Sequence, residues 1–509
     1  MNQVSPMNVS RRARIFWIAC ALIAAGVLLH LPMLFEAHRM GNRLAGMRSD
    51  TGMLVGMALI LVGAPLAAYG ALPGGRAKLD NDIRFEARPD TPIGAAQIIV
   101  LLVLVIGLVI DVMKPATLGF VLPGLAKEYG IAKSTAALLP LFALLGTTVG
   151  SFLWGWLADG YGRRTSILLS TILFISTSIC GAMPDFKLNL LMCFLMGASA
   201  GGMLPVVYTL LAELMPTKHR AWVLVLVGGT GLIGGYLAAS ASAHLFEPTY
   251  GWRSLWLQGF PTGMLLLLLA RFIPESPRFL LAQGKLDDLA KLARTLGIVR
   301  VETPPASGGS TLIRRELAAA LVVAALAWSF INFGLLLWLP TDLEHRGFSA
   351  AAASGLIAKS SLLALPTIVV TAWLYSQWST RWTLVLTMGV VLLGLLGAAL
   401  PPAILARPGI LIAVIALLIV GSNGLIAVLI PYAAEITPLA RRGSGTGMVA
   451  GASKSGGVAV QAGALAGFIP TLSGAAIVLI VPTIAAIGLL SWAGRETKGR
   501  TLAALEAVA

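Results

Sequence analysis

The sequence predicts an all-α membrane protein. It has two pseudo-symmetric six-helix halves preceded by a two-helix hairpin, about fourteen transmembrane helices in total. Hydrophobic residues make up 57% of the 509 positions and charged residues only 12%, which is too little polar surface for a soluble protein of this size. In addition, charged motifs of the first half recur about 220 residues later, which indicates a duplicated architecture.

The predicted spans are apolar runs of roughly twenty residues, the length of helix that crosses about 30 Å of hydrocarbon. We interpret them as helices because only helices and closed barrels satisfy their backbone hydrogen bonds in lipid, and no alternating pattern suggests a barrel. The runs lie near residues 14–35, 52–72, 94–125, 135–157, 165–183, 188–212, 219–243, 252–273, 317–340, 349–375, 382–400, 408–434, 443–468 and 472–494.

These runs divide the chain into five segments. Residues 1–92 form a two-helix hairpin, which is expected to be an accessory because the remaining spans already make two complete repeats. Residues 93–275 and 313–494 form the N-terminal and C-terminal six-helix halves. Residues 276–312 form a cytoplasmic linker with an amphipathic helix, and residues 495–509 form a cytoplasmic tail.

The basic residues are distributed as in an inner-membrane protein. The net charge is +15, and most of the 37 Lys and Arg fall on one side of the membrane when both termini are placed in the cytoplasm. This bias explains the charge without a nucleic-acid partner, and it predicts a bacterial inner-membrane protein with cytoplasmic termini. The three cysteines lie in apolar runs without disulfide or metal-ligand spacing, so no cofactor and no metal site is expected.

Three motif pairs carry the internal repeat, and each lies at a boundary between spans. The pairs are residues 155–164 with 372–381, residues 213–220 with 435–442, and residues 274–278 with 495–500. Duplicated halves that face each other across a central site are how many secondary transporters alternate access. The sequence therefore predicts movement of a solute through a bilayer.

The first motif carries a family resemblance. Residues 155–164 fit the pattern G-x-x-x-D-x-x-G-R-R, and residues 94–500 resemble the major facilitator superfamily, which has this signature between its second and third core helices. Glycines permit close helix approach and a tight turn, and Asp159 can form a charge lock with the paired arginines. The resemblance implies that this lock holds the outward-facing state closed on the cytoplasmic side. The predicted cytoplasmic gate comprises Gly155, Asp159, Gly162, Arg163, Arg164, Glu213, Arg220, Glu275, Arg278, Glu435, Arg441 and Arg442.

Different parts of the chain resemble different subgroups of this superfamily. Residues 274–281 and 496–502 resemble the segments that close each half of sugar porters. Residues 197–205, in the fourth core helix, and residues 111–130, in the first, are more similar to the aromatic acid:proton symporters. The second resemblance implies a carboxylate substrate that can carry an aromatic ring.

Two positions depart from the subgroup patterns. Lys114 occupies the second acidic position of the D-G-x-D motif of the aromatic acid:proton symporters, whose first acidic position is Asp111. Cys193 replaces an arginine that is often found in the fourth core helix. Coupling through an Asp–Arg pair, as in sugar porters, therefore cannot be carried over to this chain.

Charged residues near the middle of predicted spans are candidates for the transport site, because a charge there costs several kcal/mol unless it faces a partner or a cavity. Asp111 and Lys114 share a helix face. They form either a structural ion pair or a proton-coupling pair in which Lys114 neutralises Asp111 until substrate binds. The excess of lysine favours an anion. The predicted substrate-binding residues are Lys114, Lys359, Lys454 and Gln461.

The predicted function is secondary active transport: proton-coupled uptake of a small organic anion by alternating access. Two alternatives stay open, a proton-antiport exporter of drugs or metabolites and a transporter-like sensor or binding protein without turnover, because the fold does not fix the substrate or the direction. No enzymatic activity is expected. The expected partners are a small-molecule anion, protons and the lipid bilayer, and the protein is expected to act as a monomer.

Overall fold

The computed structural model describes residues 6–47, 50–73, 75–76, 83–87, 92–302, 314–437, 442–469 and 471–498. Within these ranges, thirteen helices are long and apolar enough to cross a membrane. The remaining predicted span, Arg442–Leu465, is also a helix, but it is rich in glycine and serine and carries a lysine and a glutamine. The predicted all-α membrane fold is confirmed.

The N-terminal hairpin consists of two long helices joined by a short one. Gly56, Gly63 and Gly70 lie seven residues apart on one face of the second long helix, where the first approaches closely. A Cβ on Gly56 would lie 2.6 Å from the Gly26 carbonyl oxygen, so small residues fix this helix contact. The elements are α1 (Pro6–Leu28), α2 (Leu31–Arg39) and α3 (Thr51–Ala71).

The N-terminal half forms six spans from nine helices and two 3-10 segments. The fourth span is interrupted at Gly201 and Gly202, because glycine weakens a helix and permits a kink there. The elements are α4 (Ala95–Tyr129), α5 (Lys133–Ala136), α6 (Leu138–Tyr161), α7 (Arg163–Ser176), α8 (Phe186–Ala200), α9 (Met203–Leu214), α10 (Thr217–Tyr250), α11 (Ser254–Leu257) and α12 (Gly259–Leu269), with 3-10 segments Thr177–Ala182 and Ala270–Phe272.

The linker contains α13 (Pro277–Ala282) and α14 (Leu286–Leu296), and α14 falls within the predicted amphipathic segment. It also contains strand β2 (Ile298–Glu302), which pairs antiparallel with strand β1 (Ile83–Ala87). This two-stranded pairing is a local addition to the predicted all-α architecture and was not expected from the sequence. Both strands carry alternating apolar and charged residues, a pattern that favours a half-buried strand.

The C-terminal half repeats the six-span arrangement. Two of its spans contain π-helical segments, which often mark functional positions in a helix. The elements are α15 (Arg315–Ser329), α16 (Leu339–His345), α17 (Ala350–Ala364), α18 (Thr367–Trp373), α19 (Thr380–Ala398), α20 (Pro402–Leu405), α21 (Pro408–Ile436), α22 (Arg442–Leu465) and α23 (Leu472–Ala493), with π segments Phe330–Leu336 and Leu374–Trp378.

The two halves make close contacts toward the predicted external face. A Cβ on Gly119 of α4 would lie 2.5 Å from the Leu337 carbonyl oxygen, so the halves approach at backbone distance there. The Tyr236 hydroxyl of α10 donates to the Leu336 carbonyl (3.0 Å). Nearer the end of α10, His244 Nδ1 donates to the Ala351 carbonyl (2.7 Å). These contacts hold the halves together at this face.

Candidate transport site and cytoplasmic lock

A sharp turn between α6 and α7 carries the predicted lock. Gly162 has φ +103°, a conformation that favours glycine, and a Cβ there would lie 2.4 Å from Glu275 Oε2. The Glu275 carboxylate caps α7, because its Oε1 atom accepts hydrogen bonds from the N–H groups of Arg163 (2.7 Å) and Arg164 (3.3 Å). Glycine at 162 therefore allows this carboxylate to reach the helix. Gly155 has no heavy atom within 4 Å of its Cβ position, so the predicted close helix approach does not occur there.

The Arg163 side chain is the buried centre of the lock. Its Nη2 atom lies 3.4 Å from Asp159 Oδ1 and 3.4 Å from Glu213 Oε1. Glu213 also accepts a 2.5 Å hydrogen bond from the Ser276 hydroxyl. The Arg163 side chain is 3% exposed and that of Asp159 is 70% exposed. The lock therefore connects α6, α7, α9 and the start of the linker through Arg163, while Arg164 contributes its backbone N–H.

Burial perturbs the ionisation of Glu275. It raises the pKa of the Glu275 carboxyl, against the opposing effect of the backbone N–H groups of Ser276, Arg164 and Arg163 and of the Arg163 charge. The hydrogen bonds to α7 favour the charged form, so protonation of Glu275 would weaken the cap on α7.

The C-terminal half has an equivalent cap without the charged lock. The Glu496 carboxylate accepts hydrogen bonds from Thr380 N–H (3.0 Å), the Thr380 hydroxyl (2.7 Å), the Ser379 hydroxyl and Lys498 N–H (2.9 Å). Burial alone would raise the pKa of Glu496, but the hydrogen bonds from Ser379, Lys498 and Thr380 lower it to about 2. Thr380 and Ser376 stand where the N-terminal half has arginine and aspartate, so hydroxyl groups replace the guanidinium.

The glutamates at the ends of the two fourth spans are also equivalent. Glu435 Oε2 accepts hydrogen bonds from the hydroxyls of Tyr375 (2.9 Å) and Thr497 (2.6 Å). Thr497 follows Glu496 just as Ser276, the partner of Glu213, follows Glu275. The internal repeat predicted from sequence therefore places a glutamate with a hydroxyl partner at the same position in both halves.

The other predicted gate arginines lie at helix starts. Arg220 is in the first turn of α10 and Arg278 is in the first turn of α13, and both are half-buried and make contacts. Arg441 lies outside the described residues. Arg442 begins α22, and its side chain is also outside the description.

Lys114 does not pair with Asp111, which contradicts both interpretations of this pair. Its Nζ atom donates to the Phe174 carbonyl (2.7 Å) and to the Thr177 hydroxyl (2.6 Å), and lies 4.4 Å from the centre of the Phe174 ring. The residue is 2% exposed. Lys114 therefore joins α4 to the third span inside the N-terminal half, which argues against its predicted role in substrate binding.

Lys359 is also displaced from the predicted substrate site. It is exposed on α17, and Leu362 and Leu363, which are 60% and 61% exposed, lie three and four residues further on the same helix face. An exposed stripe of leucine is typical of a lipid-facing surface. Lys359 therefore lies on the outside of the bundle, where its long side chain can reach toward the membrane surface.

Asp111 and Lys454 are intramembrane charges of opposite sign that lie on different halves. Asp111 lies on α4 of the N-terminal half and is 7% exposed, and Lys454 lies on α22 of the C-terminal half. The two opposite charges act electrostatically on each other. Among the described residues, no ion pair within 4.0 Å joins these two side chains.

Gln461 joins α22 to the first span of the C-terminal half. Its Nε2 atom donates to the Phe333 carbonyl (2.7 Å), and its Oε1 atom accepts a hydrogen bond from Trp338 Nε1 (3.3 Å). Both partners lie in the first span of the C-terminal half. These bonds hold α22 against that span, and the contact of Gln461 with substrate stays a prediction.

An aromatic segment near Lys454 was not singled out from the sequence. The Ser329 hydroxyl donates to the Ser453 carbonyl, and a Cβ on Gly457 would lie 2.6 Å from the Phe333 ring. The rings of Trp328 and Phe333 meet edge to face at 5.7 Å. The sequence signal that could have revealed them is the pair of aromatic side chains beside serine and asparagine within an apolar span.

The comparisons with known proteins agree with this architecture. The profile of the Major Facilitator Superfamily matches residues 99–461, so the chain belongs to that family. The resemblance drawn from residues 155–164 is thereby confirmed. The chain is an integral membrane protein of a family of transporters.

Several transporters with stated substrates are similar to this chain. A putative niacin/nicotinamide transporter of Bacillus subtilis is 26% identical over 396 residues, which are 77% of this chain and 94% of that protein. A 4-hydroxybenzoate transporter of Acinetobacter baylyi is 27% identical over 285 residues, which are 52% of this chain and 62% of that protein. An organic cation/carnitine transporter of Arabidopsis thaliana also matches.

A solved structure shares the fold. The proton:xylose symporter XylE, bound to a bromo-deoxyglucose, superposes with a TM-score of 0.63 at 18% identity. The match covers 81% of this chain and 98% of that one.

Proposed function

We propose that this protein takes up a small organic carboxylate together with protons across the bacterial inner membrane, as a monomer with both termini in the cytoplasm. The observation that carries the proposal is the pair of opposite charges between the halves, Asp111 on α4 and Lys454 on α22, which interact without a direct ion pair. A carboxylate bound to Lys454 would complete the pairing of the lysine and leave the aspartate without its counter-charge.

Coupling follows from this competition for Lys454. When the substrate carboxylate binds Lys454, Asp111 becomes an unpaired carboxylate within the membrane, and binding of a proton removes that unfavourable charge. The loaded site then carries one fewer isolated charge, which lowers the cost of moving the halves around it. Release of the substrate lets Lys454 attract Asp111 again, and the proton leaves with the substrate.

A monocyclic aromatic ring suits the surroundings of this site. Trp328 and Phe333 lie on the segment that packs against α22 next to Lys454, and aromatic side chains favour stacked or edge-to-face contacts with another ring. Niacin and 4-hydroxybenzoate, the substrates named for two similar transporters, are both monocyclic aromatic carboxylates. We therefore expect the substrate to belong to this chemical class.

Transport assays in proteoliposomes test the proposal. Labelled nicotinate, 4-hydroxybenzoate and an organic cation are offered to vesicles under an imposed pH gradient of either direction. Accumulation of a carboxylate driven by inward proton movement supports the proposal. Accumulation of the cation driven by outward proton movement would support an antiport exporter, and binding without transport would support a sensor.

A variant of the acidic residue tests the coupling step. Asp111→Asn keeps the side chain permanently neutral, so exchange of substrate across the membrane should persist while accumulation driven by a pH gradient should be lost. Exchange and accumulation are measured on the same preparation. Retained gradient-driven accumulation would show that Asp111 does not carry the coupling proton.

A further inference from the structure

A buried carboxylate at the predicted external end of α4 binds the loop of the N-terminal hairpin. Glu128 Oε1 accepts hydrogen bonds from the backbone N–H groups of Leu44 (2.7 Å) and Ala45 (2.9 Å). The carboxylate also pairs with Arg253 (2.8 Å) and accepts a hydrogen bond from Trp252 Nε1 (2.9 Å). Because a buried charge is costly unless its hydrogen-bonding capacity is filled, the hairpin loop supplies donors that Glu128 needs.

Arg253 extends this contact across the N-terminal half. Its Nη1 atom donates to the Gly181 and Met183 carbonyls, each at 2.9 Å, and its guanidinium lies 4.5 Å from the centre of the Trp252 ring. Gly46 of the hairpin loop donates its N–H to the neighbouring Pro184 carbonyl (3.3 Å). We call Glu128, Arg253 and Trp252 the Glu128 cluster, and it joins the hairpin loop to α4, to the end of the third span and to the turn before α11.

The segment after the hairpin makes a second attachment at the predicted cytoplasmic face. Strand β1 pairs with β2 of the linker along its whole length, and Phe85 is buried among the apolar side chains of the N-terminal half. Before the strand, the Arg76 guanidinium lies over the Trp156 ring of α6 at 5.3 Å, and Gln283 of the linker donates to the Gly75 carbonyl (3.2 Å). The attachment is therefore made of both backbone and side-chain contacts.

Apolar packing fills the distance between the two attachments. Side chains of α1 and α3 share one buried cluster with Leu169, Ile172 and Ile175 of α7 and Leu267 of α12. The hairpin loop is not packed against the C-terminal half in the same way, because a cavity of about 580 Å³ lies between residues 41–43 of the loop and residues 349–351. The hydrogen bonds that the described hairpin residues make outside the hairpin go to the N-terminal half and the linker.

We propose that the hairpin and strand β1 form one rigid body of eight membrane spans with the N-terminal half, and that the Glu128 cluster fixes the external end of α4, the helix that carries Asp111. The C-terminal half then moves as a body of six spans against it. The hairpin is thus a structural part of one moving half, in place of the accessory role predicted from the sequence. This proposal does not depend on the substrate or on proton coupling.

Distance measurements between spin labels test the proposal directly. Three variants each carry two added cysteines, one for each pair of the positions Met40, Lys187 and Arg407. These positions lie in the hairpin, the N-terminal half and the C-terminal half, and all three are exposed at the predicted external face. The native cysteines are buried, so the added ones can be labelled selectively. Double electron–electron resonance then gives the three pairwise distance distributions of the full-length protein in acidic and in basic buffer.

If the hairpin and the N-terminal half move as one body, the Met40–Lys187 distance distribution should be narrow and the same in both buffers. Any change in the Lys187–Arg407 distance should then be accompanied by a change in the Met40–Arg407 distance. A broad Met40–Lys187 distribution, or one that shifts with the buffer, would overturn the proposal. If the halves do not move between buffers, the width of the Met40–Lys187 distribution decides alone.

Two variants show whether the Glu128 cluster makes the attachment. Ala45→Pro removes one N–H donor to Glu128, and Glu128→Gln removes the charge that binds the loop and Arg253. Both should broaden the Met40–Lys187 distribution, whereas the matched control Glu36→Gln, an exposed acid on α2, should keep the wild-type width. Unchanged widths in both cluster variants would remove the cluster from this role.

Discussion

Replacing Lys454 should weaken binding of a carboxylate, and replacing Lys359 should not. Lys454→Met removes the positive charge that acts electrostatically on Asp111 of the other half, while the methionine keeps a similar length and fits an apolar surrounding. Lys359→Met makes the same chemical change on the exposed face of α17. The two variants therefore differ in where the charge is lost rather than in what is lost.

The expected magnitude follows from the contact that the substrate would lose. A hydrogen bond to a charged group contributes about 1.5–3 kcal/mol. Its loss corresponds to a Kd that is about 10- to 150-fold weaker. The fold should survive, because Asp111 can remain protonated once its counter-charge is gone. For Lys359→Met we expect a Kd within about twofold of wild type, because a surface change away from the site alters a binding energy by less than about 0.5 kcal/mol.

Binding of labelled nicotinate or 4-hydroxybenzoate to purified protein in detergent provides the assay. The thermal unfolding temperature of each variant is measured on the same preparation, so that loss of folded protein is not mistaken for loss of affinity. Equal affinities for wild type and Lys454→Met would refute the assignment of Lys454 to the substrate. Equal losses in the two lysine variants would show that the effect is a general one of charge.

Three further predictions concern the lock and the equivalent cap of the C-terminal half. Gly162→Ala should destabilise the protein by about 1–3 kcal/mol, because the backbone conformation there favours glycine. Gly155→Ala should leave the thermal unfolding temperature unchanged, since a Cβ added there would have no heavy atom within 4 Å. Equal destabilisation by the two glycine variants would contradict this reasoning. Asp159→Asn should shift the population toward states open to the predicted cytoplasmic face by up to about fivefold, because an exposed ion pair contributes at most about 1 kcal/mol. The accessibility of single cysteines on both faces measures this shift, and an unchanged accessibility pattern would refute the prediction. Glu496→Gln should remove a stabilisation that depends on pH. The fold lowers the pKa of Glu496 from 4.5 to about 2, so the charged carboxylate stabilises the folded state above pH 4.5, and this stabilisation is lost as the pH falls toward 2. The difference in melting temperature from wild type should therefore shrink on acidification, and a difference independent of pH would count against this cause.

Much of the lock could be predicted from the sequence because its residues lie at fixed positions beside helix ends. The repeat of Glu275 in Glu496 and of Glu213 in Glu435 gives the same caps and hydroxyl contacts in both halves. The charged network around Arg163 has no counterpart at Thr380, because residues 372–381 lack the aspartate and the first arginine of residues 155–164. The role of Gly155 was not predicted correctly, because pattern alone does not say which glycine has a close neighbour.

The sequence by itself determined where the membrane helices lie and that they form two repeated halves. Lipid leaves the backbone no other partners, so each long apolar run has to form a helix that satisfies its own hydrogen bonds. This constraint is local, and it can be read from twenty residues at a time. It extends to the extra spans of the hairpin, which the sequence located without showing what they contact.

Only the tertiary structure decided which way the charges inside the spans point and which distant segments meet. A span is apolar on nearly all sides, so its sequence has no polar face that distinguishes a cavity from lipid or from a neighbouring helix. Lys114, Lys359 and Lys454 are alike in sequence, yet one lies within a half, one on the outer surface and one between the halves. The pairing of β1 with β2 and the contact of the hairpin loop with Glu128 join residues far apart in the chain, and helix rotation and packing set such contacts rather than any local pattern.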